Sequence, residues 1–147
     1  MSKNIDSLIA RFAPIVEEAD AIAAKPAPFR ADVQRIVAIE MEARVIDRAN
    51  GDDVSWADSQ EYVDRADAII HRLMDQRAQI GRACEAADEE RLIRRTTVPI
   101  DGGRLIVSVH PDHARLTFDE DGAPQLRHEY LTTDQAAQLA AALTLDD

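Results

Sequence analysis

Residues 55–94 read SWADSQEYVDRADAIIHRLMDQRAQIGRACEAADEERLIR, a run with one glycine and no proline. Apolar side chains recur in it at steps of three and four, the spacing of one face of an α-helix. The positions are Tyr62, Val63, Ala66, Ile69, Ile70, Leu73, Ile80, Ala83, Cys84 and Ala87. We therefore predict one helix roughly 60 Å long, at about 1.5 Å per residue. A helix of that length needs other helices, or a second copy of the chain, packed along it.

Two further helices are predicted before the long one. Residues 4–24 form the first, with a kink near 10–14 or a start at Ala13, because Pro14 cannot donate a helical hydrogen bond. The two prolines in 25–29 end it. Residues 31–49 form the second, which is apolar around more than half its girth and is expected to be the most buried. Asn50 or Gly51 is expected to close it with a left-handed cap.

The period of the pattern changes from 3.6 to 2 after Arg94. Alternating residues near 96–100, 105–109, 114–118 and 126–130, separated by turn sequences, predict a four-stranded antiparallel meander. Thr133 is the expected N-cap of a closing helix. The apolar stripe of that helix, Ala136, Leu139, Ala140 and Leu143, is expected to cover the sheet.

The elements together predict an α+β protein. An N-terminal helical hairpin and one long helix form an α-helical segment, residues 1–94, in an up-down-up arrangement. The four-stranded antiparallel β-meander and the C-terminal helix form a β-β-β-β-α unit, residues 95–147. The long helix is further predicted to form a coiled-coil homodimer, because its second half extends beyond the first two helices.

Charge limits the partners of this protein. The chain carries 17 Lys and Arg against 28 Asp and Glu, a formal net charge of −11, and each third of it is negative. Direct binding to nucleic acid or to an anionic membrane is therefore not expected, because both need concentrated basic residues. One cysteine, no signal peptide and no apolar run of about 18 residues predict a cytoplasmic protein without a membrane span.

Recognisable catalytic and cofactor motifs are missing from the sequence. Serine nucleophile elbows, P-loops, dinucleotide fingerprints and calcium-loop spacings do not occur, so neither an enzyme nor a cofactor is predicted. Cys84 lies on the apolar stripe and is interpreted as a core residue. Trp56 is interpreted as an anchor that packs the loop onto the first two helices, with an interface hot spot as the alternative.

Histidines supply the main candidate for a metal site. His110 and His113 bracket a turn, and His128 on a neighbouring strand, with Asp112, could complete a surface zinc or nickel site. A polar β-turn without metal is the favoured interpretation. On the long helix, Asp67, His71 and Asp75 share one face, which is interpreted as a solvated ion-pair face.

The function predicted from these features is non-enzymatic binding to a protein partner, as an adaptor or inhibitor. The acidic charge of the chain favours a basic partner. The expected contact is the second half of the long helix, where Arg77 and Gly81 interrupt the apolar stripe. The candidate partner-binding residues are Arg77, Gly81, Glu85, Asp88, Glu89, Glu90 and Arg91.

Two alternatives remain open. The first is a nucleic-acid mimic, like anti-CRISPR or anti-restriction inhibitors, in which acidic side chains replace phosphates on a basic partner. Its candidate residues are Asp64, Asp67, Asp75, Glu85, Asp88, Glu89 and Glu90. The second is a metal-dependent protein that uses the His110/His113 turn.

Overall fold

The computed structural model describes the backbone of residues 2–144 and the side chains of residues 4–143. This part of the chain forms an α+β fold, as predicted, with helices first and a four-stranded antiparallel sheet after them. The α-helices are α1 (Ser2–Ala10), α2 (Ala13–Ala23), α3 (Arg30–Gly51), α4 (Ser59–Arg91) and α5 (Thr133–Thr144). The strands are β1 (Arg94–Ile100), β2 (Gly103–Val109), β3 (His113–Glu120) and β4 (Arg127–Thr132). Contacts divide the chain into a helical unit, Met1–Ala86, and a sheet unit, Ala87–Asp147.

Pro14 accounts for the break between α1 and α2. Helix α1 ends at Ala10, and α2 restarts at Ala13 with the proline in its first turn. A proline is tolerated there because the first backbone N–H groups of a helix have no intrahelical partner. The predicted kink in the first helix is therefore confirmed.

Ion pairs and hydrogen bonds fix the direction of the helices in the helical unit. Arg35 of α3 pairs with Glu18 of α2, and Tyr62 Oη of α4 donates to Asp47 Oδ1 of α3 at 2.8 Å. Farther along the same two helices, Arg77 Nε lies 2.8 Å from Glu40 Oε2. Because residue numbers rise along α3 as they fall along α4, these two helices are antiparallel, as the up-down-up arrangement requires.

The core of the helical unit is apolar, and all four of its helices contribute to it. Phe12, Ile36, Ile39 and Leu73 are among the buried side chains, each at 1% exposure or less. Helix α3 was predicted to be the most buried helix, but much of its surface is exposed. Its Met41 is 64% exposed, because neighbouring helices cover only part of its surface.

Both ends of α3 differ in detail from the prediction. Asp32 begins the helix by accepting a hydrogen bond from the Phe29 backbone N–H at 2.9 Å. At the other end, Asp52 caps the helix in the right-handed region, with φ −74°. The predicted left-handed cap at Asn50 or Gly51 is therefore wrong, since the helix continues through both residues. The side chain of Asn50 is instead buried, and its Nδ2 donates to the Leu8 carbonyl at 3.1 Å.

Helix α4 is shorter than predicted but continuous through Gly81. Residues Trp56–Asp58 form a 3₁₀ helix, so the α-helix itself begins at Ser59. Its 33 residues span roughly 50 Å at about 1.5 Å per residue. The interpretation of Trp56 as a packed anchor is wrong, because its side chain is 93% exposed. Within the part of the chain that is described, none of the helices is long and apolar enough to cross a membrane.

The sheet has the predicted meander order, β1-β2-β3-β4. Leu105 pairs with Phe118, and Val107 with Leu116, so the apolar side chains of β2 and β3 share one face. Ser108 and Thr117 lie on the opposite face and are buried. His113 is also buried on this polar face, whereas Ala114 is the one described strand residue that is buried on the apolar face.

Helix α5 is present but does not bury its apolar stripe. Leu139 and Leu143 are both exposed, so the predicted packing of this stripe over the sheet is wrong. Its N-terminus also lies one residue earlier than expected. Thr132 Oγ1 accepts from the Gln135 N–H at 3.1 Å, and Gln135 Oε1 accepts from the Thr132 N–H at 3.0 Å. This reciprocal pair is a capping box, which makes Thr132 the N-cap.

Candidate functional site

Two histidines close the turn between β2 and β3. The His110 N–H donates to the His113 carbonyl at 2.9 Å, which ties the two ends of the turn together. Pro111 stands between them and fixes its own φ near −65°. Paired strand residues continue directly from the turn, with Val109 opposite Ala114. The backbone that carries both imidazoles is therefore held on each side.

A carboxylate from α4 completes this cluster within the sheet unit. Asp88, His110 and His113 each offer a ligand atom, and the three atoms lie within 4.8 Å of one another. His113 Nε2 lies 3.6 Å from Asp88 Oδ2. Both histidines are buried, with exposures of 3% and 5%. We call this set the Asp88–His110–His113 cluster.

Two imidazole nitrogens in the cluster have no hydrogen-bond partner among the described residues. They are His110 Nδ1 and His113 Nε2, and both atoms are buried. Buried nitrogens usually have a partner, so a pair without one calls for an explanation. The other ring nitrogen of His113, Nδ1, lies 3.0 Å from Asp112 Oδ1. The two imidazole rings stack, with centroids 4.6 Å apart and planes 9° apart.

Charged groups surround the cluster on the same side of the sheet. Arg91 Nη1 lies 3.7 Å from Asp88 Oδ1. Arg95 donates from Nη2 to Glu89 Oε1 at 2.8 Å and from Nε to Ser108 Oγ at 3.2 Å. These contacts hold the last turn of α4 against β1 and β2.

Two groups in this region have displaced pKa values. Burial, together with the nearby His113, lowers the pKa of His110 below its ordinary value of 6.5. The charged imidazolium is disfavoured there because it would lose its hydration. The hydrogen bond from Arg95 lowers the pKa of Glu89, since it favours the ionised carboxylate. Burial therefore favours the neutral imidazole of His110, the form that binds metal ions.

The structure differs from the predicted metal site in three respects. His128 is not a member of the cluster, because it pairs with Thr117 and its Nδ1 lies 2.9 Å from Thr117 Oγ1. Thr117 is four residues along β3 from His113, a separation of about 13 Å. The cluster is also buried instead of lying on the surface. Asp88 was missed as a member, since no local motif links it to the β2–β3 turn.

The residues predicted to bind a partner fall into two groups. Glu85 and Glu90 are exposed on α4, and Gly81 is partly exposed with open space beside it. The others have contacts within their own unit: Arg77 pairs with Glu40, Asp88 and Arg91 belong to the cluster region, and Glu89 pairs with Arg95. These positions remain a prediction. Cys84, the single thiol, is buried as predicted.

The other histidine pattern has a local explanation. His71 Nδ1 lies 2.8 Å from the backbone carbonyl of Asp67, one helical turn earlier, and the histidine is exposed.

Comparisons of the chain with protein-family models, with curated proteins and with solved structures find no match.

Proposed function

We propose that this protein acts without catalysis, by binding a partner protein as an adaptor or inhibitor. The observation that supports this proposal is an outward apolar face on α3. Val37, Met41 and Val45 follow one another at four-residue steps and are 38%, 64% and 67% exposed. Single exposed apolar residues are common, but three in line on one helix are the pattern by which a helix binds a complementary helix. We call them the α3 stripe.

A groove near the end of the α3 stripe extends this surface within the helical unit. It has a volume of about 300 Å³ and lies between the end of α3 and the start of α4. Its lining includes Arg48, Tyr62 and Val63. The exposed Trp56 is three residues from Ser59, which also lines the groove. Tryptophan is enriched among residues that dominate binding energy, so Trp56 takes the role of an anchor for the partner.

The partner in this proposal is a protein that presents an amphipathic helix to the α3 stripe. The net charge of −11 favours a partner with basic residues around that helix, since complementary charge speeds encounter. The partner-binding positions predicted on α4 would add a second contact. Homodimerisation through α4 remains a separate prediction, checked by sedimentation of the purified chain.

Site-specific crosslinking in the native host tests the proposal. A photoreactive residue at position 41 should capture a partner, whereas the same residue at position 126 should not. Leu126 is a matched control because it is 52% exposed but lies in the sheet unit. With the captured partner purified, Met41→Asp should weaken binding at least ~10-fold, or about 1.4 kcal/mol. Equal affinities for the wild type, Met41→Asp and Leu126→Asp would contradict the proposal.

Nucleic-acid mimicry is a second candidate, supported by the exposed acids of α4. Asp64, Asp67, Asp75 and Glu85 are all exposed. At about 100° per residue they fall within roughly 80° of the helix circumference. If they replace phosphates, binding to a basic partner should weaken steeply as salt rises, and Asp67→Lys with Glu85→Lys should abolish it. Affinity that is insensitive to both changes would exclude mimicry.

A further inference from the structure

We infer that Asp88, His110 and His113 bind one divalent transition-metal ion, with Zn²⁺ the best match. This inference concerns the sheet unit and does not depend on the proposed protein binding. Two imidazoles and one carboxylate form a donor set of intermediate softness. Mg²⁺ and Ca²⁺ prefer sites made entirely of oxygen, and Cu⁺ prefers sulfur. Zn²⁺ binds both imidazole nitrogen and carboxylate oxygen at about 2.0–2.2 Å.

The spacing of the three donors is close to what such an ion requires. In a tetrahedral zinc site with bonds of about 2.0–2.1 Å, ligand atoms lie roughly 3.3 Å apart. The three candidate atoms are already within 4.8 Å of one another, and His113 Nε2 is 3.6 Å from Asp88 Oδ2. The distances therefore allow side-chain rotations to close the site around an ion. Larger backbone changes are not needed.

Groups behind the ligands have the arrangement that zinc sites use. Metal-bound histidines commonly donate their other N–H to a carboxylate, which fixes the tautomer and increases ligand basicity. Asp112 Oδ1 lies 3.0 Å from His113 Nδ1 and can accept a hydrogen bond from its N–H. With the proton on Nδ1, the other ring nitrogen, Nε2, keeps a lone pair that is directed toward Asp88. Arg91 lies on the Oδ1 side of Asp88, so Oδ2 is the oxygen that faces His113.

Besides the spacing of the donors, the two imidazole nitrogens without a hydrogen-bond partner also favour a bound ion. His110 Nδ1 and His113 Nε2 are buried, and nothing among residues 4–143 forms a hydrogen bond with either atom. A metal ion bound to both would satisfy them together. Because the rings are stacked with nearly parallel planes, at least one must rotate about χ2 to direct both lone pairs at one ion.

Three protein ligands leave one tetrahedral position open. In zinc proteins, closed sites with four protein ligands are structural, whereas sites with three leave room for water or another molecule. The site inferred here belongs to the second kind. Its fourth ligand is a water molecule in the isolated chain.

Metal titration of the full chain, purified without a histidine tag and stripped with a chelator, tests the inference. Calorimetry with ZnCl₂ should show one ion per chain. His110→Ala and His113→Ala should each weaken binding by ~10-fold or more, and Asp112→Asn by roughly 10–100-fold, the usual effect of losing a carboxylate behind a ligand. His128→Ala is the matched control and should bind as the wild type does. Circular dichroism of each metal-free variant checks that it folds.

Cobalt provides a measurement that does not depend on the alanine variants. Co²⁺ bound by two imidazoles and a carboxylate should give visible absorption bands, and Asp88→Asn should shift or weaken them because it replaces an ionised oxygen ligand. The inference is overturned if the wild type binds no Zn²⁺, or if His113→Ala binds as tightly as the wild type. A cobalt spectrum unaffected by Asp88→Asn would overturn the assignment of the carboxylate.

Discussion

The two units of this chain bury apolar and polar side chains in different proportions. In the helical unit the buried positions are filled by residues such as Ile36, Ile39 and Leu73. In the sheet unit the buried positions include Ser108, His110, His113 and Thr117, while strand residues such as Val98 remain exposed. Apolar burial is the main favourable term in folding, so the helical unit has an ordinary source of stability. The sheet unit depends more on hydrogen bonds, ion pairs and, in our inference, a metal ion.

This difference also separates the two proposed activities. The helical unit has its own apolar core, and its outer surface carries the exposed α3 stripe to which we assign partner binding. Polar groups buried in the sheet unit are costly unless each finds a partner. Ser108 and Thr117 have such partners, whereas His110 Nδ1 and His113 Nε2 do not, and these two atoms are the ones that the metal inference explains.

Truncation of a core side chain should have the largest effect on stability. Leu73 is 1% exposed and belongs to the core of the helical unit. Leu73→Ala should lower the free energy of unfolding by ~2–5 kcal/mol, because it removes apolar contacts and leaves a cavity. Val45→Ala, at an exposed position of α3, should change it by less than about 0.5 kcal/mol. Urea denaturation followed by circular dichroism measures both, and equal effects would contradict the described core.

Alkaline pH should destabilise the helical unit through Tyr62. Burial raises the pKa of Tyr62 to about 12, from an ordinary value of 10. The folded state thus favours the neutral phenol. Its contribution to the free energy of unfolding is fully present below about pH 10 and is lost as the pH rises toward 12. In Tyr130→Phe, where Tyr62 is the one remaining tyrosine, ultraviolet absorbance should report this late ionisation. Tyr62→Phe should remove the corresponding pH dependence of unfolding, and ionisation near pH 10 would contradict the assignment.

Removal of one hydrogen bond from the polar face of the sheet should lower the free energy of unfolding less than truncation of the core does. Ser108 is fully buried, and its Oγ accepts from Arg95 Nε at 3.2 Å. Ser108→Ala should cost about 0.5–1.5 kcal/mol, the usual net value of such a bond, because Arg95 keeps its contact with Glu89. Hydrogen exchange of the β1 and β2 amides should show the change, while amides of α3 stay protected. A loss as large as that of Leu73→Ala would mean that both units depend on single side chains equally.

Elements were predictable where a local pattern determines them. Pro14 indicates the break between α1 and α2, and the change from period 3.6 to period 2 after Arg94 marks the start of the sheet. Apolar spacing also identifies the buried face of α4, since one helix face must meet a core wherever the helix lies. These features depend on neighbours in sequence, so one chain is enough to find them.

Features that depend on distant residues were not predictable. Nothing near Trp56 in sequence shows whether a surface is available to cover it, and the structure leaves it exposed. Asp88 joins His110 and His113 because β1 pairs with β2 immediately after α4 ends, which brings the last turn of the helix beside the β2–β3 turn. The apolar residues of α5 have the spacing of a buried face, yet both leucines of this helix are exposed. This could not be predicted, because periodicity does not show whether another element covers the face.

Substitution of Gly81 should have the smallest effect on stability, and the same variant tests whether a partner binds at this position. It lies inside α4 with nothing within 4 Å of an added Cβ. Gly81→Ala should therefore raise the stability of the helical unit by roughly 0.5–1 kcal/mol, because alanine loses less backbone entropy in a helix. If a partner helix approaches α4 closely at this position, the added methyl group should also weaken partner binding. Increased stability with unchanged affinity would place the contact on the α3 stripe and away from Gly81, whereas decreased stability would show that the helix is not regular there.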